Sequence, residues 1–287
     1  MLQLAGNVAV VTGAGRGIGR AIALALGAEG VHLVLAARNV GELQQTASEV
    51  AKFAVQCDVV PTDVSDPEQV QALVDRTLRR FDRIDILVTN AGMQGPIGPL
   101  VDNDDRAWLH TFQVNVLGTF YCAKRTLPHM IARRSGKIIN LSGGGAVSPR
   151  PNFSAYSASK AAVVRLTETL AEEVSAFNIQ VNAVAPGAVN THMLQEVIEA
   201  GESAGAELEA ARRRKADGGT PPESAARLVL FLASKASGSL SGKLISAPHD
   251  DWESWDKERM DELMSRAWLS MRRLDQFTLA SLHSGKT

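Results

Sequence analysis

A single-domain α/β architecture, a doubly wound parallel sheet with helices on both faces, follows from three features of this 287-residue chain. Short β-branched runs alternate with longer amphipathic stretches. The runs are near-continuously apolar, as strands covered on both faces must be, and the first of them passes directly into a glycine-rich turn. A hydrophobic content of 45% suffices for a substantial core, and the length favours one large domain over two independent ones.

Residues 8–11, 33–36, 84–88, 137–141, 181–184 and 244–246 read as strands with helical segments between them. In such a sheet ligands bind at the carboxyl ends of the strands. Cys57 reads as a strand end and Cys122 as a helix interior. With no Cys-x-x-Cys spacing and no histidine pair nearby, both read as reduced packing residues, and no metal is expected. Residues 200–219, small and charged, suit either a mobile helical lid or a solvated surface helix. A main domain is expected over 1–248. The stretch 249–287 holds three of the four tryptophans and reads as an ordered helical tail packed on the domain or on a partner subunit.

Thirty basic against thirty-one acidic side chains give a net charge of -1, which offers no electrostatic footprint for nucleic acid or an anionic membrane. No stretch reaches the roughly eighteen uncharged apolar residues of a spanning helix, and no basic region precedes the first apolar run. A cytoplasmic protein is expected, with small molecules and copies of itself as partners.

The run 12–19 carries Gly13, Gly15, Gly17 and Gly19, with Arg16 and Ile18 between them, and an alanine-rich helix follows. A turn after a strand, a backbone able to approach a pyrophosphate and a helix start with free N–H groups are what a dinucleotide requires there. About twenty residues on, where an NAD site usually carries an acid for the ribose hydroxyls, the chain reads Ala37-Arg38. Arg38 and Arg16 either form a clamp on a 2'-phosphate, which points to NADP(H) over NAD(H), or are ordinary surface arginines.

Tyr156 and Lys160 lie four apart at the start of the amphipathic stretch 154–176 and so share one helix face. A neighbouring ammonium stabilises a phenolate and would lower the tyrosine's pKa from about 10. Taken with Asn90-Ala91-Gly92, Asn115 and Pro186-Gly187, these motifs over roughly the first 245 residues resemble the short-chain dehydrogenase/reductase family. That resemblance implies a Rossmann-type fold, a nicotinamide cofactor and a carbonyl/alcohol substrate.

It further implies that Tyr156 protonates the carbonyl oxygen and Lys160 holds the nicotinamide ribose and tunes Tyr156. Asn115 would support a proton relay. Asp63 and Val64 would meet the adenine edge, Asn90, Ala91 and Gly92 would pass beside the cofactor, and Pro186, Gly187, Val189 and Thr191 would reach the nicotinamide carboxamide. Asn90 and Asn115 equally suit a purely structural role as backbone ties. By the same resemblance, helices around 104–133 and 154–176 would pair in a homodimer or homotetramer.

The chain departs from the family twice. The usual catalytic serine lies thirteen residues before the tyrosine, where this chain has Gly143, and Ser142 is one position early. Either Ser142 replaces the missing hydroxyl, or a water or substrate group fills the gap. The other departure is 241–252, where the usual Asp-Gly-Gly is absent and the tail is the chain's own. The expected function is an NADP-dependent oxidoreductase. The rivals are a nucleotide-binding regulatory or scaffold protein without catalysis, and a dehydratase or epimerase acting on an activated sugar. Substrate walls are expected from 92–100, 143–153 and 189–219, with Arg150 either touching an acidic or polyhydroxyl substrate or facing solvent.

Overall fold

The computed structural model describes residues 3–271. Seven strands, β1 (Val8–Thr12), β2 (His32–Ala37), β3 (Cys57–Pro61), β4 (Ile86–Thr89), β5 (Gly136–Leu141), β6 (Ile179–Ala185) and β7 (Leu244–Ser246), form one parallel sheet in the order β3-β2-β1-β4-β5-β6-β7. The connecting helices are α1 (Gly17–Ala28), α2 (Val40–Val50), α3 (Pro67–Phe81), α4 (Asp105–Phe112), α5 (Gly118–Arg133) and α6 (Ser154–Glu173). They continue with α7 (His192–Glu199), α8 (Glu207–Asp217), α9 (Pro222–Ala233) and α10 (Lys257–Ser265). Strand order reverses between β1 and β4, which opens a crevice at their carboxyl ends.

The period-two alternation of a strand divides the core into two clusters. Ala9, Val11, Leu33, Leu35, Ile86 and Ile139 pack with Ile22 and Leu26 of α1 and Leu228 of α9. Val10, Val34, Leu87 and Ile138 pack with Leu73 of α3 and Met130 of α5. Burial on both faces is why these runs carry almost no polar residue.

β3 is a strand that the six apolar runs do not include. It lies at the sheet edge, Asp58 breaks its apolar run to accept hydrogen bonds from Arg76, and Pro61 ends it. At the opposite edge the tail packs on the domain's own core. Trp252 is buried, donates to the carbonyl of Ala247 at 3.2 Å and lies with its ring 5.7 Å from that of Phe231. Leu269 accepts from the main-chain N–H of Leu244 on the outer side of β7 at 2.7 Å. Residues 272–287 of the expected tail lie outside the described residues. Among the described residues no helix is long and apolar enough to cross a membrane.

Candidate active site

The glycine turn is built for close approach. Gly13 has φ +63, a conformation that side chains disfavour, and a Cβ on Gly19 would overlap the carbonyl oxygen of Gly13. The N-cap of α1, Arg16, makes no side-chain cap bond, so nothing from its own cap residue shields the first-turn N–H groups. Asn90 donates from Nδ2 to the carbonyls of Thr12 and Gly13, and the Thr12 hydroxyl accepts from the N–H groups of Asn90 and Ala91. These bonds fix the loop after β4 to the turn after β1. A cradle that only glycine permits, beside a helix N-terminus, fits a dinucleotide pyrophosphate.

At the end of β2, Arg38 is exposed and close enough to Asp63 for its charge to act there. Burial opposes ionisation of Asp63, but bonds from Ser65 and the charge of Arg38 outweigh it and hold the carboxyl below its ordinary value. Val64 is buried against Gly118. Arg16 meets Glu42 at 3.5 Å. Glu42, in the first turn of α2 where Asn39 caps its N–H, is an acid at this end that the sequence reading passed over. The Asn39–Glu42 capping spacing was the available signal.

Tyr156 and Lys160 stand on one face of α6, with exposures of 8% and 4%. Lys160 Nζ donates to the carbonyl of Leu141 at 2.8 Å and lies 5.8 Å from the Tyr156 ring. Burial lowers the Lys160 ammonium to about 8. Burial raises the Tyr156 phenol above its ordinary value; Arg150 pulls it down, and Glu207 pushes it further up. The sequence led us to expect a phenol lowered by the lysine. In the structure desolvation is the larger effect, and the cation that pulls the phenol down is Arg150, whose partner Glu207 pushes it back up.

A five-residue π-turn, Gln113–Leu117, joins α4 to α5 and carries Asn115. Its Oδ1 accepts from the N–H of Met93, and Nδ2 donates to the carbonyl of Met93 and to Ser159 Oγ. Asn115 thus ties the loop after β4 to α6. A Cβ on Gly92 would stand 3.2 Å from Asn115 Oδ1 and 3.4 Å from Lys160 Nζ.

Ser142 and Gly143 take different places. The N–H of Ser142 still bonds Val184, so Ser142 continues the β5 ladder, and its hydroxyl donates to the carbonyl of Lys160 at 3.2 Å. Gly143 is the position that faces the phenol: a Cβ there would overlap the Tyr156 hydroxyl. The hydroxyl proton of Ser142 is therefore spent on α6, and the tyrosine occupies the space a side chain at 143 would need.

The cavity at Tyr156 has a volume of about 470 Å³ and joins Ile18, Asn90, Ser142, Lys160, Pro186 and Thr191 to residues of 189–219. Gly187 has its backbone beside Pro248, and Val189 bridges to Gly219 and Thr220, closing the base of the segment. Leu194, Val197, Ala204 and Ala211 pack with Phe153 and Tyr156, so α7 and α8 cover the site; α8 is not a surface helix apart from it. Arg150 does not face solvent. Its Nη2 bonds Glu207 Oε2 at 2.6 Å and its Nε bonds Oε1, the two side chains being 17% and 24% exposed. Its guanidinium lies 3.9 Å from the Phe153 ring centroid. Glu207, Arg214, Gln94 and His249 also line the cavity, and no motif marked any of them in the sequence.

Residues 7–202 match the family model for short chain dehydrogenases. The chain is 34% identical over 245 residues to a 3-oxoacyl-[acyl-carrier-protein] reductase, FabG, of Thermotoga maritima, an alignment covering 85% of this chain and 97% of that one. It is 37% identical over 244 residues to a cis-4-hydroxycyclohexanecarboxylate dehydrogenase of Sinomonas cyclohexanicum, covering 84% and 94%. Among solved structures, an NAD+-bound xylitol dehydrogenase superposes with a TM-score of 0.80 at 29% identity, covering 85% and 98%. An actinorhodin polyketide ketoreductase variant with NADPH gives 0.77 at 30% identity, covering 84% and 95%. With that likeness, a parallel seven-stranded sheet and a tyrosine–lysine pair at its carboxyl edge, the chain belongs to the short-chain dehydrogenase/reductase family of pyridine-nucleotide-dependent oxidoreductases acting on alcohol and carbonyl groups.

Proposed function

We propose that this enzyme is an NADP(H)-preferring reductase or dehydrogenase of a small carbonyl/alcohol compound, with Tyr156 as its acid–base. The observation that carries the reading is the phenol of Tyr156, open to a cavity that runs to the glycine turn, with Lys160 beneath it. When bound, a reduced nicotinamide supplies a hydride to the carbonyl carbon. Tyr156 gives its proton to the carbonyl oxygen as the C–O bond becomes an alcohol, and a phenol kept protonated by burial suits that direction. Lys160 holds the nicotinamide ribose, and Asn115 keeps α6 and the loop after β4 in register, from which it supports the proton path. Gly13–Gly19, Asp63, Val64, Asn90–Gly92 and Pro186–Thr191 form the cofactor crevice. Ser142, through its bond to the Lys160 carbonyl, is a positioning residue in this reading.

Preference for NADP(H) is supported by Arg38 at the end of β2, where the strand itself ends without an acid, and by Arg16, which must leave Glu42 to reach a 2'-phosphate. Exposed Leu109, Leu117 and Phe120 on and between α4 and α5 support association as a homodimer or larger. A cytoplasmic location completes the reading.

The test is cofactor oxidation and reduction, followed by near-ultraviolet absorbance, over a panel of ketones, alcohols and sugars with both cofactors. Tight NADPH binding without turnover of any member would replace this reading with the scaffold one. A product changed in configuration with no net cofactor turnover would replace it with epimerisation.

A further inference from the structure

The cavity at Tyr156 carries an unbalanced charge. Glu207, Ala211 and Arg214 lie on one face of α8 at helical spacing, and all three line the cavity. Glu207 is taken twice over by Arg150, which leaves neither group of that pair free. Arg214 is half-buried, and among the described residues it has no carboxylate within ion-pair distance and no hydrogen-bond partner. Lys160 is a further cation at the cavity floor. One carboxylate thus stands against three cationic side chains, in a space partly closed to water where a guanidinium gains most from an anion.

The residues that fit the cofactor's phosphates are on other elements than Arg214, although Ile18 and Asn90 among them line the same cavity. The phosphate cradle lies at the first turn of α1, built from Gly13–Gly19 and Asn90.

We propose that the substrate carries a carboxylate, and that Arg214 is its anchor: the enzyme acts on an oxo acid or hydroxy acid whose acid group lies on the α8 side of the cavity, away from the reacting carbon over Tyr156. The Arg150–Glu207 pair fixes α8 to the 143–153 loop, so that the anchor is held at a set height above the phenol. This deepens the reading of the site as a carbonyl/alcohol oxidoreductase and rests on it for the identity of the reacting group.

The experiment measures binding, which does not need turnover. Cyclohexanecarboxylate and cyclohexanecarboxamide, matched in ring and differing in charge, are titrated by calorimetry into the full chain saturated with NADPH. The carboxylate is expected to bind at least about tenfold more tightly than the carboxamide. Arg214→Gln is expected to remove that preference while leaving the affinity for the carboxamide and for NADPH unchanged, and Arg214→Lys to restore part of it. Carboxylate binding no tighter than the carboxamide, absence of binding included, overturns the proposal. So does an Arg214→Gln variant whose main loss is in NADPH affinity, since the arginine would then serve the cofactor. If the carboxylate preference and its loss in Arg214→Gln are found but no oxo acid is turned over, the anchor stands and the oxidoreductase reading of the site fails.

Discussion

The two ends of the crevice are held together in different ways. At the nucleotide end, Thr12, Gly13 and Asn90 are joined by short bonds that involve main chain at nearly every step, and the space is defined by the absence of side chains. At the substrate end, α8 is held over Tyr156 by an ion pair between residues 150 and 207 and by a small apolar cluster around Phe153. Where a Cβ on Gly13 or Gly19 would overlap its neighbours, few residues are admitted, so the nucleotide end leaves little freedom to the sequence. A side-chain pair can be built from many residue combinations, so the substrate end is where the sequence is freer to change.

The largest effect expected from breaking this comparison is at the junction of the two ends. Tyr156→Phe keeps the ring in the apolar cluster and removes the proton donor, so turnover falls by about a hundredfold or more while NADPH affinity holds. Steady-state kinetics paired with a binding titration decide it; near-normal turnover would move the acid–base role elsewhere.

Arg38→Asp acts at the nucleotide end alone. Replacing a cation with an acid at a 2'-phosphate should erase or reverse a cofactor preference of on the order of tenfold. Equal dissociation constants of the native enzyme for NADPH and NADH would refute the preference itself.

A pH series separates function from fold at Lys160. Its folded-state pKa, about 8, lies below the ordinary 10.5, so the native enzyme loses this proton first. Turnover that relies on the ammonium should therefore decline as pH rises through about 8. Across the window between about 8 and 10.5 the unfolded chain binds a proton that the native one does not, and the group's contribution to stability rises with pH. Lys160→Met should abolish that increment; thermal midpoints of both proteins across the window provide the comparison.

The smallest effect is expected from Ser142→Ala. With its hydroxyl on the Lys160 carbonyl, its loss should lower turnover by less than about tenfold, against the hundred- to thousandfold typical of losing a direct donor to the oxyanion. A larger loss at unchanged NADPH affinity would return the donor role to Ser142.

Much of this was legible in the sequence, for reasons particular residues make plain. The β1 turn could be read because glycine is needed where Gly13 turns and Gly19 touches main chain, and the α6 pair because four residues make a helical turn. Of β3 only Cys57 was read, as a strand end, because an edge strand has no need to be continuously apolar, and Asp58 uses that freedom. Arg150 could not be placed, since its partner lies 57 residues away on a helix whose composition suits a lid and a solvated surface equally. The direction of the Tyr156 shift was missed because burial is a property of the assembled cover, and two residues on one helix do not contain it.

The bond from Leu244 to Leu269 has a meaning apart from the chemistry. A parallel sheet ending in β7 would present a row of unsatisfied N–H and C=O groups, a template on which another chain can add a strand. The tail meets that row at one point, where Leu269 takes the N–H of Leu244, and Arg165 of α6 holds the tail beyond it through the carbonyl of Met271. What reads in sequence as an appendage after the last strand thus spends the chain's own hydrogen bond at a point of the β7 edge where a stranger's would otherwise fit.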